Sequence, residues 1–490
     1  MRRGVRLLPL LWALAACGDT SAAPPAAAPP DAPPAAAPAP DAPYAHANVL
    51  LITIDSVRAD RLGCYGCERP TTPHLDELAA RSVRFEEAFA NSSFTPPTHA
   101  SLLTGLYPAE HGLRHWNKSL ADVPTAADAF AAAGYRTLAI TPLKTLLVLG
   151  LGRGFELTHS PESTQVGQQV ILADGDAVNG SALEALLRKR DTRPFFAWVH
   201  YYDAHRPYGR QGPEWSGRFV QPDRPEVGAT EAWYQMTPEK RATLGAGPAA
   251  IEIMKDHYDG GLAYLDDRIG QLLSRLQEAG VLEHTIVVVV ADHGEVFDEH
   301  GPEWFAHDPY LYDENVHIPL LLRLPGDAQA GRRVPDLVSQ VDLLPTLLEL
   351  TGVAPLPDQR FSGRSFAPAL AGTKLRRTSV FADTQGSDLS VPRDGMPAPS
   401  EAEVLASRDR QLMLRTESRK LLLFVDRGTD ELLDIADGEQ QDHSAEQPEA
   451  LHDALRAYEQ WWKSLKPSTD TGNVTDPEMQ RLLDALGYTR

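Results

Sequence analysis

Five runs of apolar, mostly β-branched residues recur along the middle of the chain, and each has the length of one strand. Such continuous runs are typical of strands covered on both faces, as in a largely parallel sheet. Segments with apolar residues at helical spacing lie between them. The predicted strands are Val49–Ile54, Arg136–Ile140, Phe195–His200, Thr285–Val290 and Ile318–Leu322. The predicted helices are Pro73–Arg81, Thr125–Ala133, Ala182–Arg190, His257–Ala279 and Val341–Leu350.

This alternation of strands and helices predicts an α/β sandwich, in which a large central sheet lies between layers of helices. In sheets of this kind, active sites collect beyond the carboxyl ends of the strands. Asp55, the segment 200–205 and the pair Asp292-His293 each lie at that end of a predicted strand. We therefore expect these side chains to meet at one edge of the sheet.

After Gly372 the pattern changes to shorter strands followed by one helix, which predicts a small α+β subdomain with an antiparallel sheet. We therefore divide the folded part into a catalytic domain, residues 47–372, and a C-terminal subdomain with its tail, residues 373–490. The elements predicted in the second part are Val380–Ala382, Gln411–Arg415, Lys420–Val425, Glu431–Ile435 and the helix Pro448–Leu465.

The N-terminus carries a processing signal. Three arginines precede the apolar run Leu7–Ala16, which is too short to span a bilayer and is typical of a signal peptide, residues 1–17. The run ends in Leu-Ala-Ala-Cys17, which resembles the lipobox of bacterial lipoproteins and implies lipidation of Cys17. An ordinary secretory signal is the alternative. Residues 18–46, rich in Ala and Pro, are predicted to be a semi-rigid linker. We expect an exported cell-envelope protein that contacts the membrane only through this anchor.

The net charge of −21 argues against nucleic acid or an anionic membrane surface as a partner. An anionic substrate would need a locally positive pocket in such a protein. A bound divalent cation can supply that positive charge.

The stretch Thr95–Gly105 predicts a helix that carries a hydroxyl group at its N-terminus. Thr95 suits the N-cap position, and the two prolines after it suit the first turn. Backbone N–H groups and the helix dipole at that end attract anions, such as an oxygen of a phosphate or sulfate ester. A plain helix start explains the same stretch equally well.

Asp292 and His293 directly follow the predicted strand Thr285–Val290 and are a compact pair of metal ligands. Carboxylate oxygen and imidazole nitrogen together suit zinc, manganese or a similar ion. Asp55 is the expected third ligand, and Thr95 Oγ1 is the expected fourth. We therefore predict one divalent ion, namely Ca, Mg, Mn or Zn. The alternative is that the Asp-His pair merely begins a helix.

Segments spread along the chain in order resemble the sulfatase family of the alkaline phosphatase superfamily. This resemblance implies an alkaline-phosphatase-like fold and a metal-dependent hydrolase of anionic esters. It also implies that a histidine of the segment 200–208 contacts the ester's anionic group, and we assign that role to His205. The matching segments are Thr53–Gly66, Thr72–Ala79, Ser101–Pro108, Gly134–Thr137, His200–Tyr208, Asp292–Glu295, Leu311–Glu314, Val341–Leu347 and Glu431–Asp434.

The chain departs from the usual sulfatase pattern at the nucleophile. Sulfatases of the usual kind carry Cys or Ser where Thr95 stands, oxidise that residue to formylglycine, and carry Arg where His99 stands. Threonine is not expected to be converted. The site instead resembles that of threonine-dependent relatives, such as lipoteichoic acid synthases and phosphoethanolamine transferases, which act on phosphate diesters. Where the family has a second metal-binding aspartate this chain has Ser56, which, like Glu295, is expected to orient the ligands.

These residues imply a metal-activated Thr95 that attacks the ester, while His205 or His307 protonates the leaving oxygen. His99, one turn into the helix, is expected either to face the site or to pack. A threonine adduct cannot be expelled by elimination as a formylglycine sulfate can, so we favour a phosphoester over a sulfate ester. The alternatives are a sulfatase proper, or a non-catalytic metal-binding envelope lipoprotein with a sulfatase fold.

Overall fold

The computed structural model places the strands of a central sheet in the order β10-β2-β9-β8-β1-β7-β3-β4. Strand β9 runs antiparallel to both neighbours, whereas the other strand pairs are parallel. The residues described are 42–166, 169–188, 191–221, 248–297, 299–300, 307, 310–385 and 410–468. The strands of the sheet are β1 (Asn48–Ile54), β2 (Val83–Phe89), β3 (Arg136–Ile140), β4 (Leu157–His159), β7 (Phe195–Tyr201), β8 (Thr285–Ala291), β9 (Leu320–Arg323) and β10 (Arg333–Ser339), and a separate hairpin contains β5 (Thr164–Val166) and β6 (Gln169–Ile171).

Helices flank the central sheet, and the predicted α/β sandwich is confirmed. Nearly every residue of β1 and β8 is fully buried, as their continuous apolar runs predict. None of the helices within the described ranges is long and apolar enough to cross a membrane. The helices are α1 (Pro73–Ala80), α2 (Thr95–Thr104), α3 (Pro108–His111), α4 (Ala126–Ala132), α5 (Lys144–Leu146), α6 (Gly175–Leu186), α7 (Pro213–Ser216), α8 (Pro248–Glu278), α9 (Asp313–Val316), α10 (Leu343–Thr351), α11 (Ala367–Leu370) and α12 (Pro448–Ser464).

Three strands of the sheet escape the sequence analysis: β4 has only three residues, and β2 and β10 have no clear apolar pattern. Strand β2 contains Glu86 and Glu87 in succession, and its burial alternates only in part. Strand β10 contains Pro335, and its pairing with β2 shifts register between Val334 and Leu337. Both strands lie toward one side of the sheet, where partial exposure weakens the apolar signal.

Two predicted helices begin earlier than their apolar spacing indicates. Helix α6 begins at Gly175, because the Asp174 carboxylate caps it by accepting a hydrogen bond from Ala177 N at 3.1 Å. Helix α8 begins at Pro248 rather than at His257.

The predicted antiparallel sheet of the C-terminal part is confirmed and has the order β11-β12-β13-β14. It contacts the region that follows β2, where Asn91 Nδ2 donates to Phe381 O at 2.8 Å. Its strands are β11 (Val380–Thr384), β12 (Gln411–Arg415), β13 (Arg419–Phe424) and β14 (Thr429–Asp434).

Three adjacent central strands, β8, β1 and β7, position the candidate active-site residues. Ile54 pairs with Ala291 on one side and with Tyr201 on the other, and all three strands run in the same direction. The residues that follow these strands therefore emerge at one edge of the sheet.

Candidate active site

Asp55 and Asp292 lie side by side at this edge, each directly after its strand. Asp55 N donates to Tyr201 O at 3.0 Å, and Asp292 N donates to Ile54 O at 3.2 Å, so the sheet pairing extends into both residues. One ligand atom from each of Asp55, Asp292 and His293 can be chosen so that all three lie within 4.8 Å of one another. All three side chains are fully buried.

The two aspartates each keep one oxygen without a hydrogen-bond partner. Asp55 Oδ1 accepts from Ser56 Oγ at 2.7 Å, and Asp292 Oδ1 accepts from Ser56 N and His293 N at 3.1 and 2.7 Å. Asp55 Oδ2 and Asp292 Oδ2 are buried and accept no hydrogen bond. Because an unpaired buried carboxylate oxygen is costly, this donor set fits a divalent cation.

The pKa shifts of Asp55 and Asp292 indicate the same need for a positive charge near the two carboxylates. Burial, together with the neighbouring Asp55 charge, raises the pKa of Asp292 well above its usual value. Burial alone would raise the pKa of Asp55 too, but the facing histidines His205, His200 and His293 lower it. The two carboxylates therefore do not ionise independently.

His293 presents one nitrogen to the site. Its Nδ1–H donates to Gly294 O at 2.8 Å, which leaves Nε2 facing Asp292 Oδ2 at 3.5 Å and Thr95 Oγ1 at 3.2 Å. Gly294 is required here because a Cβ atom would lie 2.0 Å from the carbonyl oxygen of Glu314. This close approach explains why glycine follows the Asp-His pair.

Thr95 contacts one of the metal-ligand candidates, His293, but the prediction that it caps helix α2 is wrong. Phe94 is the N-cap residue, with extended backbone angles, and Thr95 is the first helical residue. The Thr95 hydroxyl is therefore not used for capping and faces His293. Pro96 and Pro97 follow it and carry no N–H group, so the helix end offers fewer backbone donors to an anion than the sequence analysis assumes.

His99 packs beneath Thr95 with both ring nitrogens engaged. Nδ1 donates to Thr95 O at 2.8 Å, and Nε2 lies 3.2 Å from Thr53 Oγ1 and 3.3 Å from His200 Nδ1. Burial keeps the pKa of His99 well below its usual value. This geometry suits a residue that positions Thr95 better than one that touches substrate.

His205 and His307 pack together beside His293, and their ring centroids are 5.1 Å apart. His205 Nδ1 donates to Arg206 O at 2.5 Å, and burial lowers the pKa of His205 to about 3. His307 Nδ1 donates to Glu295 Oε1 at 3.1 Å, and its ring stacks on His293 at 4.6 Å. Although burial would raise the pKa of Glu295, the adjacent His307 lowers it to about 2. Glu295 thus orients His307.

His200 is a site residue to which the sequence analysis assigns no role. Its Nε2 lies 3.5 Å from Asp55 Oδ2, and both atoms are buried without a hydrogen-bond partner. The signal for it was its place at the end of β7, because that strand pairs directly with β1.

A second group of side chains could hold a metal, but its position already contains a cation. His300, Glu314 and Glu439 offer ligand atoms within 4.8 Å of one another. Lys420 Nζ lies 2.7 Å from Glu439 Oε1 and forms an ion pair with the most buried member of the group. We assign this group no ion.

Comparison with known proteins adds the family. The Sulfatase family model matches residues 47–353, more than half of the chain. Iduronate 2-sulfatase of Mus musculus is 26% identical over 395 residues, which cover 63% of this chain and 69% of that protein. N-sulphoglucosamine sulphohydrolase of Homo sapiens is 29% identical over 378 residues, covering 70% of each chain.

The fold is shared with solved structures as well. The phosphonate monoester hydrolase of Agrobacterium radiobacter superposes with a TM-score of 0.68 at 21% identity, over 85% of this chain and 95% of that one. The extent of the family match, together with a buried Asp-Asp-His set at the ends of central strands, shows that this chain belongs to the sulfatase family, whose members are ester hydrolases.

Proposed function

We propose that the protein is a metal-dependent hydrolase of anionic esters in which Thr95 is the nucleophile, and that phosphoesters are favoured over sulfate esters. The observation that carries this proposal is the contact between the buried Thr95 Oγ1 and His293 Nε2 at 3.2 Å, beside the unpaired oxygens of Asp55 and Asp292. The Thr95 hydroxyl, which is unreactive by itself, is thereby held close to the carboxylate oxygens for which a cation is needed. Coordination to a metal ion is one of the usual ways to activate a hydroxyl nucleophile.

Asp55, Asp292 and His293 would hold the divalent ion, with Thr95 Oγ1 beside them. A divalent ion in this set supplies positive charge that favours the Thr95 alkoxide and polarises the ester. The Thr95 hydroxyl gives its proton to solvent, and its oxygen attacks the phosphorus atom in line and forms a threonine phosphoester as the bond from phosphorus to the leaving oxygen breaks. Water then attacks phosphorus, the bond from phosphorus to Thr95 Oγ1 breaks, and Thr95 takes a proton back as the product is released.

His307 is the better candidate for proton transfer. Because its Nδ1–H is committed to Glu295, its Nε2 can carry a proton to the leaving oxygen and accept one from the attacking water. A buried carboxylate that orients an imidazole in this way is common in hydrolases. His205, which burial keeps neutral, accepts a hydrogen bond at Nε2 from the Tyr202 hydroxyl at 3.2 Å, so we expect it to line the ester site without transferring a proton.

The preference for phosphorus follows from the nucleophile. A hydrated formylglycine can expel its sulfate by elimination, but a threonine ester has no hydroxyl on the same carbon and must be displaced by direct attack. Direct displacement at the phosphorus of a threonine phosphate is easier than direct displacement at the sulfur of a threonine sulfate. The similarity to sulfatases makes a sulfate ester the second candidate substrate.

Matched variants test the proposal. Purified protein is assayed on an aryl phosphate, an aryl phosphodiester and an aryl sulfate with added Mn²⁺. Thr95→Val removes the hydroxyl at nearly constant shape, and Thr95→Ser retains it. We expect Thr95→Val to lose about 10⁴-fold or more in kcat and Thr95→Ser to retain measurable turnover. High-resolution mass spectrometry of quenched reactions then identifies phosphate or sulfate on Thr95.

Equal turnover by wild type and Thr95→Val would refute the nucleophile. If both were inert on every ester and still bound Mn²⁺, the protein would instead be a binding lipoprotein. A sulfated Thr95 would reverse the order of the two substrates.

The proposal includes the cell location. The signal sequence, Cys17 and most of the linker, residues 1–41, lie outside the described residues. Their sequence supports export and lipid anchoring at Cys17 in the bacterial cell envelope, where the catalytic domain would meet its anionic ester substrate.

A further inference from the structure

Ser56, which follows Asp55 at the end of β1, has a backbone conformation that is unusual for serine. Its φ angle is 58°, in the left-handed region that L-residues other than glycine rarely adopt. In this conformation Ser56 Oγ donates to Asp55 Oδ1 at 2.7 Å, while Ser56 N donates to Asp292 Oδ1 at 3.1 Å. Such a conformation costs free energy and persists only where the surrounding structure holds it. Whatever holds the turn at Ser56 therefore also acts on both aspartates.

The hydroxyl group of Tyr258, on helix α8, closes this turn. Tyr258 Oη donates to Ser56 O at 2.8 Å and accepts from Arg58 N at 3.1 Å. Among the described residues, no backbone group pairs with either Ser56 O or Arg58 N. All three residues lie in the protein interior, where an unpaired backbone group is costly. One phenol oxygen thus satisfies both backbone groups of the turn.

The ring of Tyr258 packs against the two other segments that carry site residues. It lies edge-to-face against Tyr208, three residues after His205, with the ring centroids 5.6 Å apart. It packs in the same way against Phe297, two residues after Glu295, at 5.2 Å. Because edge-to-face pairs have a preferred geometry, these contacts fix where the hydroxyl lies. Tyr258 therefore touches the segments that follow all three central strands, β1, β7 and β8.

We infer that Tyr258 is a positioning residue: its hydroxyl holds the turn at Ser56 and thereby sets the spacing of the two aspartate carboxylates that would bind the divalent ion. The importance of that spacing rests on the metal centre proposed above, whereas the hold on the turn does not. Without the hydroxyl, two buried backbone groups lose their partner, and Ser56 is free to leave the left-handed conformation. Its hydrogen bonds to the aspartates then loosen.

Two matched phenylalanine variants test the inference. Tyr258→Phe removes the hydroxyl and keeps the ring with its two edge-to-face contacts. Tyr201→Phe is the control, because it also removes one buried tyrosine hydroxyl, which donates to Asn179 Oδ1 on helix α6 at 2.5 Å. Both variants leave a buried acceptor without its donor, but only the first one affects the turn at Ser56.

Hydrogen exchange of the full chain in EDTA, followed by mass spectrometry, measures the hold on the turn. We expect peptides that contain Ser56 and Arg58 to exchange about 10-fold faster in Tyr258→Phe than in wild type, and at the wild-type rate in Tyr201→Phe. Calorimetry with Mn²⁺ measures the effect on the aspartates. Groups that orient metal ligands typically contribute about 10- to 100-fold to affinity, so Tyr258→Phe should bind Mn²⁺ at least ~10-fold more weakly. The affinity of Tyr201→Phe should remain that of wild type.

Unchanged exchange in Tyr258→Phe overturns the inference, and so does an unchanged Mn²⁺ affinity, because the hydroxyl then only stabilises the fold. Should Tyr258→Phe fail to fold, wild type decides: rapid exchange of the Arg58 amide refutes the hold on the turn. A wild type that binds no Mn²⁺ rejects the proposed metal centre, while the comparison in EDTA still decides whether Tyr258 holds the turn. A wild type that binds Mn²⁺ but hydrolyses no ester rejects the proposed function and leaves this inference intact.

Discussion

Replacing Asp292 with asparagine should stabilise the metal-free protein and abolish its stabilisation by metal. The Asp292 and Asp55 carboxylates have ligand oxygens within 4.8 Å of each other in the interior. At that distance two unit charges repel by about 3 kcal/mol at an effective dielectric constant of ~20. Asparagine removes one charge and keeps an oxygen that accepts from Ser56 N and His293 N. In EDTA at neutral pH, Asp292→Asn should therefore gain up to about 3 kcal/mol in free energy of unfolding.

The direction in which stability changes with pH follows from the raised pKa of Asp292. Between the usual Asp pKa of ~3.9 and its native value, the folded protein holds a proton that the unfolded chain has released. Wild-type stability in EDTA therefore falls as pH rises through this range, and the advantage of Asp292→Asn grows. Below pH ~3.9, where Asp292 is protonated in the folded and the unfolded chain alike, the advantage should vanish.

Chemical denaturation with and without Mn²⁺ measures both effects. Saturating Mn²⁺ at ~100 times its Kd should stabilise wild type by about 2.7 kcal/mol and leave Asp292→Asn nearly unchanged. Asp342→Asn is the matched control. The Asp342 carboxylate lies 2.5 Å from the Arg377 guanidinium and is not one of the metal-ligand candidates. That variant should lose about 3 kcal/mol with or without Mn²⁺. If Asp292→Asn is destabilised in EDTA as strongly as this control, Asp292 is a structural acceptor and the reasoning fails.

Three further outcomes are expected. His307→Gln should lower kcat by about 10²- to 10⁴-fold on esters with poor leaving groups and much less on p-nitrophenyl esters, and an equal loss on both would argue against proton transfer. His307 lowers the pKa of the buried Glu295 to about 2, so ionised Glu295 adds stability above pH ~4.3, and this stability should be lost as the pH falls. Glu295→Gln should therefore reduce the loss of stability at acidic pH in denaturation experiments. An unchanged loss would count against the Glu295–His307 pair. In a bacterial host, wild type should partition into the detergent phase and Cys17→Ser into the aqueous phase; detergent partitioning of both would exclude the lipid anchor.

The sequence by itself determined the architecture and the first members of the site. Continuous apolar runs such as those of β1 and β8 can only be buried on both faces, so they predict a covered parallel sheet and direct attention to Asp55 and Asp292 at their ends. The half-exposed β2 gave no such signal, because its polar positions interrupt the period of two.

Only the tertiary structure decided how the side chains share their hydrogen bonds. Sequence spacing predicted Thr95 as a cap, but backbone angles made Phe94 the cap and turned the Thr95 hydroxyl toward His293. It could not show that β7 lies beside β1, which brings His200 to Asp55. Strand order and side-chain contacts depend on long-range packing, whereas local spacing reports only which face of an element is buried.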